Sequence, residues 1–188
     1  MELVNLKKVK DGRYLKNYEL TYRNKSGKEK TYEIVSRREL ADQNDLGAAP
    51  SGVSIIATCG DRLLLLKEFR MGVNREIYNL CAGMIEEGEE IADCIRRELY
   101  EETGLKVKEI KHILPPSFSA VAISDVTTYI AFAEVEGELN HENTSENEEI
   151  RGGFYTREQV RELLKCNAPF SSRAQLAAYF FSEGLNII

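Results

Sequence analysis

Histidine and cysteine are sparse in this chain, and neither is arranged for chemistry. The two histidines, His112 and His141, stand without a partner pattern and read as structural or surface residues. The four cysteines, Cys59, Cys81, Cys94 and Cys166, lie far apart with no Cys-x-x-Cys pair, so neither a zinc site nor a disulfide framework is indicated. Long apolar runs are missing too. No uninterrupted stretch approaches the roughly 18 residues of a membrane-spanning helix, and no membrane partner is expected. Basic charge is in deficit: a net charge of −6 argues against a nucleic-acid partner, which would want a basic face. It does not argue against small phosphorylated ligands, whose charge a bound metal can offset. The opening Met-Glu-Leu-Val-Asn-Leu-Lys-Lys lacks the charged-then-apolar order of a signal peptide, so a cytoplasmic protein is expected.

What remains is ordinary globular material. At 188 residues, with 43% hydrophobic and 30% charged, the chain suits one domain or one domain with a small N-terminal extension. Residues 13–22 and 31–35 carry strand-forming patterns around the turn Asn24-Lys-Ser-Gly27, which predicts a hairpin and sets residues 1–38 apart from 39–188. Residues 38–52 read as a long loop. Two apolar runs, 53–58 and 63–69, flank Cys59-Gly-Asp-Arg62 as a second hairpin. Another strand is expected over 77–82, a helix over 91–103 that buries Ile91, Ile95 and Leu99, and strands over 107–114 and 126–135. Pro115-Pro116 closes the first of that last pair. An acidic loop over 137–149, a strand over 150–155, a helix capped by Thr156 and a last helix over 171–183 complete the chain. Strands interleaved with helices make a mixed-sheet α/β/α sandwich the natural architecture.

The informative stretch is 83–105, Gly-Met-Ile-Glu-Glu-Gly-Glu-Glu-Ile-Ala-Asp-Cys-Ile-Arg-Arg-Glu-Leu-Tyr-Glu-Glu-Thr-Gly-Leu. On a helix turning about 100° per residue, Glu98, Glu101 and Glu102 share one edge within roughly a 100° arc. Like charges so close destabilise a helix. A hard divalent cation relieves them, because Mg²⁺ and Mn²⁺ take oxygen ligands and tolerate clustered carboxylates. Arg97 can hold one carboxylate through a charge-assisted pair. The alternative is a solvated acidic helix. The seven residues named next match the fixed positions of a known family's signature, and at about 7% background each such a match arises by chance with a probability of order 10⁻⁸, which favours the chemical reading.

Those positions, Gly83, Glu89, Arg97, Glu98, Glu101, Glu102 and Gly104 with aliphatic Leu99 and Leu105, resemble without departure the signature of the Nudix hydrolase family. Outside it, Lys67-Glu-Phe-Arg70 and Tyr78-Asn-Leu-Cys-Ala-Gly83 resemble the ADP-ribose pyrophosphatase branch. So do Thr31-Tyr-Glu-Ile-Val-Ser-Arg37 and Glu146-Asn-Glu-Glu-Ile-Arg151. Asn79 and Cys81 depart from that branch, which usually has Glu and Pro there, and Val121 stands where many of its members have Pro.

The resemblance implies a Nudix α/β/α sandwich preceded by a β-hairpin, and metal-dependent cleavage of ADP-ribose or a related nucleoside diphosphate sugar. It implies Glu98, Glu101, Glu102 and the Ala82 carbonyl as ligands of Mg²⁺, with Mn²⁺ as the alternative. Glu148 first and Glu146 second are the candidate bases, against a merely solubilising loop, and with Glu101 and Arg97 they form the candidate catalytic set. Tyr32, Arg37, Arg70 and Met84 are the candidate substrate-binding residues, against hairpin packing for Tyr32 and rim positions for the arginines. A homodimer completed by the hairpin is expected. Two other readings stay open: a Nudix enzyme for a triphosphate or coenzyme, and a ligand-sensing module without catalysis.

Overall fold

Four consecutive leucines, Leu63 to Leu66, are each no more than 1% exposed. A strand points successive side chains to opposite faces, so this run is covered on both sides. That strand is β5 (Arg62–Arg70), inside a seven-stranded mixed sheet of order β10-β5-β4-β9-β8. Its members are β4 (Gly52–Cys59), β8 (Lys106–Phe118), β9 (Thr127–Glu136) and β10 (Ile150–Tyr155), with β6 (Arg75–Asn79) paired to β5 and β7 (Cys81–Met84) paired to β4. Ahead of it come β1 (Glu2–Asp11), β2 (Lys16–Arg23) and β3 (Glu29–Ser36), an antiparallel three-stranded sheet. The helices are α1 (Ile91–Thr103), α2 (Arg157–Lys165) and α3 (Ser172–Ser182). The structure, a computed structural model, describes residues 1–140 and 149–185. Among the described residues no helix is long and apolar enough to cross a membrane.

The chain divides into two units, residues 1–52 with 116–129 and residues 53–115 with 130–188. In the first, Tyr18, Leu20, Ile34 and Leu40 form a small core, and the buried Tyr18 hydroxyl accepts from the Leu40 amide at 2.8 Å. The β2–β3 turn is tied by the Asn24 side chain, which accepts from the Ser26 and Lys28 amides. The hairpin is therefore present with a third strand, β1. That strand escapes the sequence pattern because its residues are mostly exposed and two register shifts interrupt its alternation.

In the second unit, Leu63 and Leu65 pack with Ile56, Leu80, Val160, Ala177 and Phe181, so α2 and α3 cover that face. On α1, Ile95 and Leu99 are fully buried, each contributing about 1.5–3 kcal/mol. Ile91, expected beside them, is half-buried at the first turn. Gly104 ends α1 in the left-handed conformation at φ 69°, its amide donating to the Tyr100 carbonyl at 2.8 Å.

Two strands differ from expectation. The segment 77–82 is not one strand: β6 pairs with β5, the chain breaks at buried Leu80, and β7 then pairs with β4. Pro115-Pro116 does not close β8, which runs on to Phe118. β8 ends the strand order, and an edge strand tolerates the missing amide protons of proline.

Thr156 caps α2 as expected, in a reciprocal box with Gln159: the threonine hydroxyl accepts from the Gln159 amide and the glutamine oxygen from the Thr156 amide. Thr156→Ala removes the first of these bonds. It is expected to cost about 1 kcal/mol, read as a lower midpoint in thermal or urea unfolding.

Candidate active site

A glycine makes the closest approach in the site. A Cβ at Gly83, on β7, would lie 1.7 Å from the Glu98 carboxyl carbon. Only a residue without a side chain lets α1 press that carboxylate against the strand, and Glu98 is accordingly 9% exposed. One turn on, Glu102 accepts from the Ala82 amide at 3.3 Å. The break at Leu80 thus sets β7 beneath two successive carboxylates of α1.

Arg97 organises the rest. Its Nε and Nη2 donate to the two oxygens of Glu89, both at 2.8 Å, and its Nη1 donates to Glu98 at 2.8 Å and Glu101 at 3.1 Å. Nη2 also reaches the Met84 carbonyl at 2.9 Å, so one guanidinium ties the loop before α1 to the helix. The side-chain edge expected to hold three equivalent carboxylates is therefore divided. Glu98 and Glu102 turn inward, and Glu101 is exposed on Arg97.

Electrostatics follow burial. Burial and the charges of Glu98 and Glu68 push the Glu102 carboxyl up to about 8, against bonds from Cys81 and the Ala82 amide. Glu98 is raised by burial, opposed by Arg97. Glu89, by contrast, is held down at about 2 by Arg97 and the Glu86 amide. Beside these groups opens a cavity of about 320 Å³ whose lining includes Glu68, Arg70, Ala82, Glu102 and Glu149.

Glu68 is the residue that sequence reasoning passed over. It is buried at 6% exposure on β5, accepts from the Asn79 amide and pairs with Arg70 at 3.4 Å. Its signal was an ionisable residue two positions after Leu66, on the strand face that also carries Leu64 and Leu66.

A divalent cation is the group such a constellation would hold. The donors are hard oxygens, and burial disfavours the ionised form of Glu102, which a cation beside it would favour, so the donor set fits. As the side chains stand, no three acidic, histidine or cysteine groups among the described residues converge on one point, and Arg97 engages Glu98 and Glu101.

The structure brings together Ala82, Glu98 and Glu102 at β7, and Arg70 joins Ala82 and Glu102 around the cavity. Met84 meets Arg97 through its carbonyl, the residue being 53% exposed. Tyr32 and Arg37 belong to the first unit. The Tyr32 hydroxyl donates to the Ala122 carbonyl at 2.6 Å with the ring partly exposed, and Arg37 lines a small cleft with Asp45 and Asp125. Glu146 and Glu148 lie outside the described residues.

Gly83→Ala is expected to force Glu98 away from β7, destabilising the protein by about 1–3 kcal/mol. Chemical denaturation reads this directly, and an unchanged midpoint would contradict the close approach. Glu89 has a folded pKa below the ordinary 4.5, so its stabilisation is present above that pH and is lost as pH falls towards about 2. The stability difference between wild type and Glu89→Gln should therefore narrow across that window in acid-unfolding curves.

The chain was compared with known proteins. The NUDIX domain model matches residues 48–176. The ADP-sugar pyrophosphatase of Mus musculus is 29% identical over 135 residues, which are 69% of this chain and 59% of that protein. The ADP-ribose pyrophosphatase of Escherichia coli (strain K12) is 35% identical over 113 residues, 56% of this chain and 54% of that protein. That of Bacillus subtilis (strain 168) is 26% identical over 142 residues, 74% and 76% of the respective chains. The match thus spans little more than half the length of the mouse and Escherichia coli relatives. In fold, the chain resembles a crystal structure of an ADP compounds hydrolase, with TM-score 0.73 and 20% identity over 98% of this chain and 93% of that one.

Proposed function

The chain belongs to the Nudix family, and from that premise we propose that it hydrolyses the diphosphate bond of ADP-ribose or a related nucleoside diphosphate sugar. Water is added across the phosphorus–oxygen–phosphorus bridge, releasing a nucleoside monophosphate and a sugar phosphate. The observation that carries this reading is the pair of inward carboxylates on α1, Glu98 seated against Gly83 and Glu102 on the wall of a cavity that also presents Arg70. Relatives that cleave ADP-ribose and ADP-sugars support the substrate class.

Nudix hydrolases are generally dependent on a divalent metal. Glu98, Glu102, Glu101 and the Ala82 carbonyl would hold it here, with Mg²⁺ the expected ion and Mn²⁺ the alternative. When bound, such a cation neutralises diphosphate oxygens and acidifies a water. The chain's own residues do the rest. Arg97 keeps Glu98 and Glu101 in register with the loop before α1. Arg70 and Arg37 bind phosphate oxygens through planar forks of donors. Tyr32 offers a ring face to the base, and Met84 lines the substrate's path. Glu148, with Glu146 second, takes the proton from the attacking water, because a carboxylate free of metal keeps its lone pairs available. Residues 1–38 act in a homodimer by completing the partner's base pocket, and the protein works in the cytoplasm.

A panel of nucleoside diphosphate compounds with Mg²⁺ or Mn²⁺, monitored for released nucleotide, tests the proposal. Turnover of ADP-ribose should vanish with EDTA. Glu102→Gln should fall by at least about 10²-fold, the scale of losing one key electrostatic group, with an unchanged unfolding midpoint. Full turnover in metal-free buffer would overturn the reading. A clear preference for nucleoside triphosphates would replace the substrate while leaving the site in place.

A further inference from the structure

A directional chain of polar contacts runs from the start of α3 to the cavity wall. The Ser171 hydroxyl donates to Asn79 Oδ1 at 2.6 Å, and the Asn79 amide donates to Glu68 Oε1. The other oxygen of Glu68 receives Arg70 Nη1 at 3.4 Å. Both Glu68 oxygens are thereby met by protein donors, as a carboxylate at 6% exposure requires. The backbone braces the same place: the Tyr78 amide donates to the Pro169 carbonyl at 2.7 Å and the Ser171 amide to the Tyr78 carbonyl at 2.9 Å. The order cannot be reversed without loss, because a turned Asn79 amide would set its oxygen against the Glu68 carboxylate.

We propose that Asn79 and Ser171 are positioning residues that hold Glu68, and through it aim the exposed Arg70 guanidinium over the cavity to receive the substrate's diphosphate. This rests on the reading of Arg70 as a phosphate-binding residue. Arg70 stands at the end of β5 with its side chain 57% exposed, and without a fixed anion beside it a long flexible side chain spreads over many rotamers. Glu68 supplies that anion from a buried, rigid strand. Asn79 serves better than a carboxylate in its own place, since it can accept from Ser171 and donate to Glu68 at once.

Ser171 also caps α3, accepting from the Ala174 amide at 3.3 Å, so the variants must separate cap from relay. Ser171→Asp keeps a capping acceptor but cannot donate to Asn79. Ser171→Thr keeps both functions. Asn79→Asp is nearly isosteric and loses the donor to Glu68. In the ligand-free protein, ¹⁵N relaxation of Arg70 Nε should show a loosened guanidinium in Ser171→Asp and Asn79→Asp, and wild-type order in Ser171→Thr. With Mg²⁺ and ADP-ribose, the first two should raise KM roughly 10- to 150-fold, the range of a lost hydrogen bond to a charged group, with kcat changed far less. In an Arg70→Ala background the same substitutions should add no further rise. Unaltered Arg70 order in both variants, or a KM penalty that persists without Arg70, would overturn the proposal. A wild-type protein that cleaves no diphosphate would remove the functional reading, while the relaxation measurement would still decide whether this relay orders Arg70.

Discussion

Clustered carboxylates on one short helix are held in place by a single guanidinium, and the site depends on that arrangement. Arg97 meets both oxygens of Glu89, one each of Glu98 and Glu101, and the Met84 carbonyl. Unpaired, those charges would repel one another on α1 and in the loop before it. With the fork in place, the loop takes one shape, α1 starts at a defined residue without a side-chain cap at Glu90, and Glu98 is delivered to Gly83. The guanidinium suits this because its donors are planar and permanently charged.

The inward carboxylates stand under a different regime. Glu102 and Glu98 lie in a partly desolvated place where Arg97 reaches only one of them, and their carboxyls are raised by burial and, for Glu102, by Glu98 and Glu68. Burial disfavours the ionised form of both carboxyls, and a counter-charge beside them would favour it. The two sets of glutamates thus divide the work. Glu89 and Glu101 pair with Arg97 on the helix and at its entry, and Glu98 and Glu102 turn inward against β7.

Much of the fold was legible from the chain. The helix over 91–103, the hairpin around Cys59-Gly-Asp-Arg62, the strand over 150–155 and the Thr156 cap all appear with their expected bounds or close to them. These are local features, where turn chemistry, capping and short-range periodicity dominate. The misses were β1, with its irregular alternation, the division of 77–82 into two strands, and the passage of β8 through two prolines. Each depends on which strand lies alongside, and a sequence pattern does not carry the identity of a neighbour.

The candidate site follows the same division. Spacing alone determined that Glu98, Glu101 and Glu102 share a helix edge, because helical geometry is a function of residue number, and the resemblance to the Nudix signature implied that Gly83, Arg97 and Gly104 belong with them. Tertiary structure alone decided that Glu101 turns out to Arg97 while Glu102 turns in, and that Glu68, 34 positions before Glu102, stands near enough to raise it. It also decided that Asn79 and Ser171, 92 positions apart, share a hydrogen bond. Burial and charge proximity arise only when β5, β6, β7, α1 and the start of α3 are packed together, so no reading of a single stretch contains them.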